Sequence, residues 1–273
     1  MNLRKQIFTK NRCYTAGKKI IPKGIMVHST GANNPALKRY VGPDDGVLGV
    51  NKHGNHWNRA FFPGKCSHAF IGKLENGSVA TYQVLPWDHR GWHTGGKAND
   101  THISLEICED DLHDAIYFGK VYLEAAQLCA HLCKLYSLTE NDIIDHAEGH
   151  AARIASNHGD VAHWFLRFDK SMDTFRADVK ALLAGQKPKE ETLVQVIPDA
   201  AKSFKSSLSG TYQVTAKSGL YLRAGASTSK AIVELMPRDS RVKCYGYHTG
   251  SWLYVVSDSG KTGFCAKGYL KKV

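Results

Sequence analysis

Apolar positions along the first 185 residues follow the spacing of strands in some segments and of helices in others. A short apolar run over residues 24–28 predicts a buried strand. Residues 67–86 predict two strands joined by a turn at Glu75-Asn76-Gly77. Positions 118, 121, 125, 128, 132 and 135 are apolar and step by three and four, which predicts an amphipathic helix. A second helix is predicted from a cap at Ser171 to Gly185. This order of elements indicates an α/β domain with a central mixed sheet flanked by helices.

The last 65 residues show a different pattern, in which short strands follow one another with turn residues between them. This pattern is typical of a small all-β barrel. Residues 186–208, which lie between the two regions, are polar, charged and proline-containing, and they predict a linker. The sequence therefore predicts an α/β domain over residues 1–185, a linker over residues 186–208 and a small barrel over residues 209–273.

Composition narrows the class of protein. The chain has 273 residues and is 42% hydrophobic, which is enough for one medium and one small core. We expect no membrane span, because no run of about 18 apolar residues occurs. The first residues lack the apolar middle of a secretory signal, so we expect synthesis in a cytoplasm. Seven cysteines without a Cys-x-x-Cys pair indicate neither a disulfide framework nor a thiolate zinc ribbon.

Positive charge is concentrated at the C-terminal end. The net charge is +11, and residues 209–273 hold ten Lys and Arg against three Asp and Glu, or +7. A basic surface of this kind suits a polyanionic wall polymer or nucleic acid.

Histidines and carboxylates are dense between residues 141 and 165. They are His146, His150, His158 and His163, with Asp142, Asp145, Glu148 and Asp160. Zinc takes imidazole nitrogen and carboxylate oxygen in a tetrahedral shell, and a catalytic zinc keeps three protein ligands. In the helical zinc motif His-Glu-x-x-His the glutamate follows the first histidine directly. Here Glu148 comes one place too late, which disfavours that motif.

Two further residues lie on predicted strands. His28 ends the first strand and is followed by Thr30-Gly31, so a rigid element could carry its side chain to a site. Glu106 interrupts the apolar alternation of a strand that leads to Ile107. An inward carboxylate is costly unless it is paired or functional, so Glu106 is either a satisfied structural acid or a reacting group.

In these segments the chain resembles the zinc-dependent N-acetylmuramoyl-L-alanine amidases of type 2, whose fold is shared with certain phage lysins and with peptidoglycan recognition proteins. The motifs that carry the resemblance are His28-Ser-Thr-Gly31, the hairpin over residues 67–86, Gly91-Trp92-His93-Thr94-Gly95, the strand ending in Glu106-Ile107, and residues 143–160. One departure is that Val161-Ala162 follows Asp160, where the family has Pro-Gly.

The resemblance implies a Zn²⁺ site made of His28, His146 and Asp160, with His150 and His163 as alternatives to Asp160. It also implies that Glu106 is the general base and that His158 steadies the oxyanion. His68 would be either a donor to the oxyanion or a packed strand residue. Four residues are predicted to line the substrate groove, namely Trp57, Trp92, His93 and Thr94.

The C-terminal region resembles a bacterial SH3 domain. Leu220-Tyr-Leu-Arg223, Gly250-Ser-Trp252 and Gly263-Phe-Cys-Ala match motifs of that family. The resemblance implies binding to the cell wall, with Trp252, Tyr221 and Tyr245 as the expected contacts.

Together the two resemblances imply a peptidoglycan hydrolase that cleaves the amide between N-acetylmuramic acid and L-alanine. Such an enzyme, made in a bacterial cytoplasm and acting at the wall after release, would be a phage or prophage endolysin. Its expected partners are peptidoglycan and anionic wall polymers, with neither nucleic acid nor membrane. Two alternatives stay open, a non-catalytic peptidoglycan-binding protein and a basic nucleic-acid-binding protein whose barrel aromatics stack on bases.

Overall fold

The computed structural model describes residues 1–60, 64–110, 112, 114–186, 203–259 and 261–273. The chain divides into two units, one of residues 1–112 and 120–188 and the other of residues 113–119 and 189–273. Most of the predicted linker, residues 187–202, lies outside the described residues. In the part of the chain that is described, no helix combines the length and the apolar character needed to cross a membrane.

The first unit contains a six-stranded mixed sheet. Its strands are β1 (Leu3–Lys5), β2 (Gly24–Ser29), β3 (Ala69–Lys73), β4 (Val79–Gln83), β5 (His102–Ile107) and β6 (Ile143–Asp145), in the order β1-β4-β3-β5-β2-β6. The β3–β4 pair is antiparallel, and the other pairs are parallel. Gly77 allows the tight β3–β4 turn because its φ is 80°. The predicted mixed sheet and hairpin are thus confirmed.

Helices occupy the segments between and after these strands. They are α1 (Arg12–Thr15), α2 (Ala115–Tyr136), α3 (His146–Ala151), α4 (Ala162–Phe165) and α5 (Met172–Leu183), with short 3₁₀ helices at Leu37–Arg39, Lys97–Asp100, Glu140–Asp142, Leu166–Phe168 and Lys267–Tyr269. The predicted amphipathic helix is confirmed as α2, which buries Val121, Leu128 and Leu132. The predicted cap is also confirmed, because the Ser171 side chain accepts from the Thr174 amide at the start of α5.

The two faces of this sheet are covered differently. On one face, the Thr81 hydroxyl of β4 donates to Glu124 of α2 at 2.9 Å. On the other face, Phe70 of β3 packs against the rings of Tyr40 and Trp57, with centroids 5.3 and 4.9 Å away. Strand register aligns Phe70 with Glu106 and Glu106 with His28. Since residues in register point to the same face, Glu106 and His28 lie side by side on the face without α2.

The second unit is all-β. Its strands are β7 (Ser203–Val214), β8 (Leu220–Arg223), β9 (Ile232–Met236), β10 (Arg241–Thr249), β11 (Trp252–Ser257), β12 (Thr262–Ala266) and β13 (Leu270–Lys272), in the order β13-β7-β10-β11-β12-β8-β9. All of these pairs are antiparallel. Val214, Leu222, Leu253 and Val255 belong to its core. The all-β prediction is confirmed, although β7 begins at Ser203, inside the range predicted as linker.

Candidate metal and active site

Three side chains converge at the edge of the first sheet. His28 lies on β2, His146 begins α3 directly after β6, and Asp160 lies in the loop before α4. The His28 Nδ1 is 2.9 Å from Asp160 Oδ2, and the His146 Nδ1 is 3.3 Å from Asp160 Oδ1. The two Nδ1 atoms are 3.2 Å apart. Among the described residues, these three form a group able to hold a metal ion, with ligand atoms within 4.8 Å of one another.

The spacing of this group fits zinc. In a tetrahedral shell with Zn–N near 2.0–2.1 Å, ligand atoms lie about 3.3 Å apart. The two Nδ1 atoms are separated by nearly that distance, and each lies within 3.3 Å of one of the two Asp160 oxygens. Two imidazoles and a carboxylate are also a donor set that zinc accepts. Two buried nitrogens that face each other and a carboxylate are well satisfied by one cation at their centre. The residues present therefore fit the metal that the sequence predicts.

Hydrogen bonds at the far side of each ring fix its orientation. The His28 Nε2 is 2.9 Å from His93 Nδ1, and the His146 Nε2 is 3.1 Å from the Ser156 hydroxyl. Because the Nε2 atoms are engaged elsewhere, the Nδ1 atoms are the ones that face Asp160. Such outer partners commonly set the orientation of metal-binding histidines.

The position of His146 depends on a capping box. Asp145 accepts from the Glu148 amide at 2.7 Å, and Glu148 accepts from the Asp145 amide at 3.2 Å. These bonds satisfy the first amides of α3, so the helix begins at His146. Glu148 also pairs with Arg176 at 2.9 Å. It therefore serves as a cap and ion-pair partner, unlike the glutamate of a helical zinc motif.

Electrostatics favour the protonation states of His28 and Asp160 that bind metal. Burial lowers the pKa of His28, which favours the neutral imidazole. Burial by itself would raise the pKa of Asp160, but hydrogen bonds from His146 and His28 bring it well below its usual range. A neutral imidazole and an ionised carboxylate are the forms that coordinate cations.

Glu106 lies beside this group on β5. The Ser67 hydroxyl donates to its Oε1 at 3.3 Å. Burial, followed by the charge of Asp160, raises the pKa of Glu106 to about 8. A carboxyl group with a pKa near neutrality is suited to accept and return a proton.

The remaining histidines of the 141–165 segment lie in different surroundings. His158 is exposed and close, with its ring centroid 4.7 Å from that of His146. His150 is exposed, and its Nδ1 lies 3.4 Å from the Ala155 carbonyl. The His163 Nε2 lies 3.0 Å from a Glu109 carboxylate oxygen. The structure thus brings Asp160, rather than His150 or His163, to His28 and His146.

His68 has no free ring nitrogen. It is fully buried, with Nδ1 3.0 Å from the Ser104 hydroxyl and Nε2 2.7 Å from the His89 carbonyl oxygen. Burial lowers its pKa to about 4. Of the two interpretations given for His68, this arrangement favours the packed strand residue over a donor to the oxyanion.

The four predicted groove residues differ in exposure. Trp92 is 47% exposed, and the Arg90 guanidinium lies over its ring at 5.2 Å. The amides of His93 and Thr94 both donate to the Asn99 side-chain oxygen, at 2.8 and 3.1 Å, which fixes the turn. Trp57, which is predicted to be on the substrate side, has a half-buried ring that packs against the core cluster containing Phe70.

Three further polar residues, which are not among the predicted site residues, support the site. Ser67 contacts Glu106, Ser156 contacts His146 and also donates to the Thr94 carbonyl at 2.7 Å, and Glu109 contacts His163. Local pattern gives no signal for serines of this kind. Glu109 had a weak signal, because it is a second carboxylate three residues after Glu106.

The predicted wall contacts of the second unit lie on its sheet. Tyr221 on β8 is 43% exposed, with the Arg223 guanidinium 5.2 Å from its ring centre. Trp252 on β11 and Tyr245 on β10 are half-buried. Tyr221 therefore offers the largest exposed fraction of the three rings.

Comparison with known proteins gives matches for both regions. The family model for N-acetylmuramoyl-L-alanine amidase matches residues 17–162, and the model for the bacterial SH3 domain matches residues 218–271. The curated N-acetylmuramoyl-L-alanine amidase CwlL of Bacillus licheniformis is 25% identical over 192 residues, covering 63% of this chain. The match covers 45% of CwlL, so the chain spans less than half the length of that relative.

Solved structures show similarity to the first region at low identity. The structure of PlyL is 20% identical, covers 66% of this chain and 98% of its own, and has a TM-score of 0.47. The Staphylococcus aureus hydrolase AmiA in complex with its ligand is 17% identical, covers 68% of this chain and 86% of its own, and has a TM-score of 0.49. The range matched by the amidase family model contains His28, Glu106, His146 and Asp160.

Proposed function

Because this chain belongs to the N-acetylmuramoyl-L-alanine amidase family, we propose that it is a zinc-dependent peptidoglycan hydrolase. The bond cleaved is the amide between N-acetylmuramic acid and the L-alanine of the stem peptide. The observation that carries this proposal is the convergence of His28, His146 and Asp160 beside Glu106. We further propose an endolysin role, with action at the bacterial wall after release from the cytoplasm.

In this proposal His28, His146 and Asp160 hold the metal. When bound, zinc supplies a Lewis acid that polarises an amide carbonyl and makes water more acidic. His93 and Ser156 hold the two imidazoles so that their Nδ1 atoms face the centre. The protein thus fixes the ligand geometry before the substrate arrives.

Proton transfer in this proposal belongs to Glu106. Its carboxylate takes a proton from the attacking water and returns it to the leaving amine of L-alanine. Ser67 holds one carboxylate oxygen, and the other would contact the water. His158, exposed next to His146, donates a hydrogen bond to the oxyanion that develops on the carbonyl.

Product analysis tests the bond that is cleaved. Purified chain incubated with peptidoglycan should release new L-alanine amino termini and no new reducing sugars. New reducing sugars would instead indicate cleavage between sugars and would contradict the proposal. Binding to peptidoglycan with neither product would favour the non-catalytic alternative.

For the second unit, we propose attachment to the wall through charge and exposed aromatics. A net charge of +7 over residues 209–273 attracts anionic wall polymers, and Tyr221 adds a ring that is available for stacking. Linkage raises the concentration of the catalytic unit near its substrate without changing the active site.

Salt and truncation separate these contributions. Binding of the full chain to purified walls should weaken as salt shortens the screening length below about 10 Å. Tyr221→Ala should reduce the binding that survives high salt, whereas Tyr269→Ala, at a tyrosine that is 55% exposed but is not a predicted contact, should not. A chain ending at Gly185 should still cleave soluble muropeptide but lose about tenfold or more of its activity on intact walls. Equal activity of both chains on intact walls would contradict this role, as would wall binding that is independent of salt and of Tyr221.

A further inference from the structure

A buried carboxylate lies behind the metal site, just beyond the end of β5. Glu109 is 4% exposed, and its Oε1 accepts from the Ser29 hydroxyl at 2.5 Å. The same oxygen lies 3.0 Å from His163 Nε2. Ser29 directly follows His28, and His163 comes three residues after Asp160. One carboxylate oxygen therefore contacts both segments that carry these two site residues.

Among the described residues, the main chain of Glu109 is hydrogen-bonded to the segment that follows His28 and not to the Asp160 segment. Its amide donates to the Thr30 hydroxyl at 3.0 Å, and its carbonyl accepts from the Asn34 amide at 2.8 Å. Both partners belong to the loop that leaves β2. Glu109 is thus held in place relative to His28, and its contact with His163 is what connects it to the Asp160 segment.

His163 contacts both Glu109 and the loop that carries Asp160. Its side chain is 40% exposed, yet both ring nitrogens have partners, since Nδ1 lies 3.4 Å from the Gly159 carbonyl oxygen. The main-chain amide of His163 also donates to that carbonyl at 3.3 Å. Gly159 precedes Asp160 directly, so a shift of the His163 ring would be transmitted to the loop that carries Asp160.

The order of contacts among Ser29, Glu109 and His163 does not support a nucleophilic role for Ser29. In a Ser-His-acid triad the histidine lies between the other two groups and takes the serine proton. Here the carboxylate lies in the middle and accepts from Ser29 itself. Burying a carboxylate costs free energy unless hydrogen bonds replace its lost hydration. The two bonds of Glu109 do this, and they also join the two segments around the site.

We propose that Glu109 is a positioning residue that, through Ser29 and His163, sets the separation between the segments carrying His28 and Asp160. In this way it sets the affinity and geometry of the metal site. This inference rests on the proposed function in taking that site to be a zinc site. Outer groups that orient ligands commonly change metal affinity by about 10- to 100-fold when they are removed.

Metal binding by the full chain tests this role without an activity assay. Zinc affinity is measured by competition with a chromophoric chelator, and the absorption spectrum of the Co²⁺-loaded chain reports ligand geometry. Glu109→Ala and His163→Ala should each weaken zinc binding by about tenfold or more, with one metal per chain retained at saturation. Both should alter the Co²⁺ spectrum. His150→Ala, at an exposed histidine without a Glu109 contact, should match the wild type.

A double variant separates positioning from general loss of stability. If Glu109 acts through His163, Glu109→Ala with His163→Ala should bind zinc about as weakly as Glu109→Ala alone, because coupled residues are not additive. His163→Gln, whose amide can still donate to Glu109, should recover part of the affinity. Should Glu109→Ala fail to fold, the half-exposed His163 variants carry the test.

The outcomes distinguish this inference from the proposed function. Wild-type zinc affinity and an unchanged Co²⁺ spectrum in His163→Ala would overturn the positioning role while leaving the zinc site intact. Failure of the wild-type chain itself to bind zinc would overturn the proposed function and this inference together.

Discussion

Glu106→Gln should lower turnover on peptidoglycan by about a hundredfold or more while the chain keeps its full zinc content. Glutamine preserves the shape of the side chain and its contact with Ser67, but it cannot accept the proton of the attacking water. Glu106 also lies outside the group formed by His28, His146 and Asp160, so the metal ligands are untouched. Initial rates of L-alanine amino-terminus release and elemental analysis of the same preparation measure both quantities.

The pH dependence gives this prediction a second readout. Burial and the charge of Asp160 raise the pKa of Glu106, so the carboxyl group is partly protonated near neutrality and active only after it loses that proton. A cation bound nearby would lower the pKa of Glu106. Activity of the wild type should therefore rise with pH on the acid side of its pH profile. The residual activity of Glu106→Gln should lack this rise. Glu75→Gln, which changes an exposed carboxylate in the β3–β4 turn, should keep both the rate and this acid-side rise. Full turnover in Glu106→Gln would assign the base to another group.

Asp160→Ala should remove zinc from the chain together with its activity. The substitution leaves two imidazoles without the carboxylate that faces both of them. The loss of affinity should exceed about a hundredfold, beyond what changes in outer groups cause. Metal per chain after dialysis measures the loss. Chelation of the wild type should abolish activity, and added zinc should restore it in the wild type only.

His150→Ala is the matched control for the third ligand. His150 belongs to the same histidine-rich segment but is exposed and lies apart from the cluster. It should keep one zinc per chain and wild-type turnover. Loss of metal in His150→Ala, with retention in Asp160→Ala, would instead support a helical histidine pair.

Sequence pattern was sufficient where a local rule decides the structure. The β3–β4 hairpin follows from alternation and an Asn-Gly turn, α2 from its three-and-four spacing, and α5 from its serine cap. The choice of His28, His146 and Asp160 rests on the resemblance to the amidase family, whose short motifs occur here in the same order. Asp160 lies in a loop, where no local rule of secondary structure applies. The start of β7 was missed because polar residues on a sheet resemble those of a linker.

Contacts between residues far apart in the chain could not be predicted from local sequence patterns. Alternation placed His68 on a strand, but it could not show that Ser104 and the carbonyl of His89 take both ring nitrogens. The polar pattern around Trp57 likewise could not show that its ring packs on Phe70. The same limit hid Glu109, whose partners lie 80 positions before it and 54 positions after it.

His28 and Asp160 are 132 positions apart in the chain, and this separation would link binding of the proposed metal to folding. Contacts between distant residues form only after the chain has lost the entropy of closing the loop between them. In the unfolded chain His28, His146 and Asp160 are scattered, so a zinc ion bound as proposed would stabilise only the assembled sheet. At free zinc 100-fold above the dissociation constant, this preference adds about 2.7 kcal/mol to the free energy of unfolding. The ion that serves the reaction would thus also protect the first unit against proteases acting on its unfolded state.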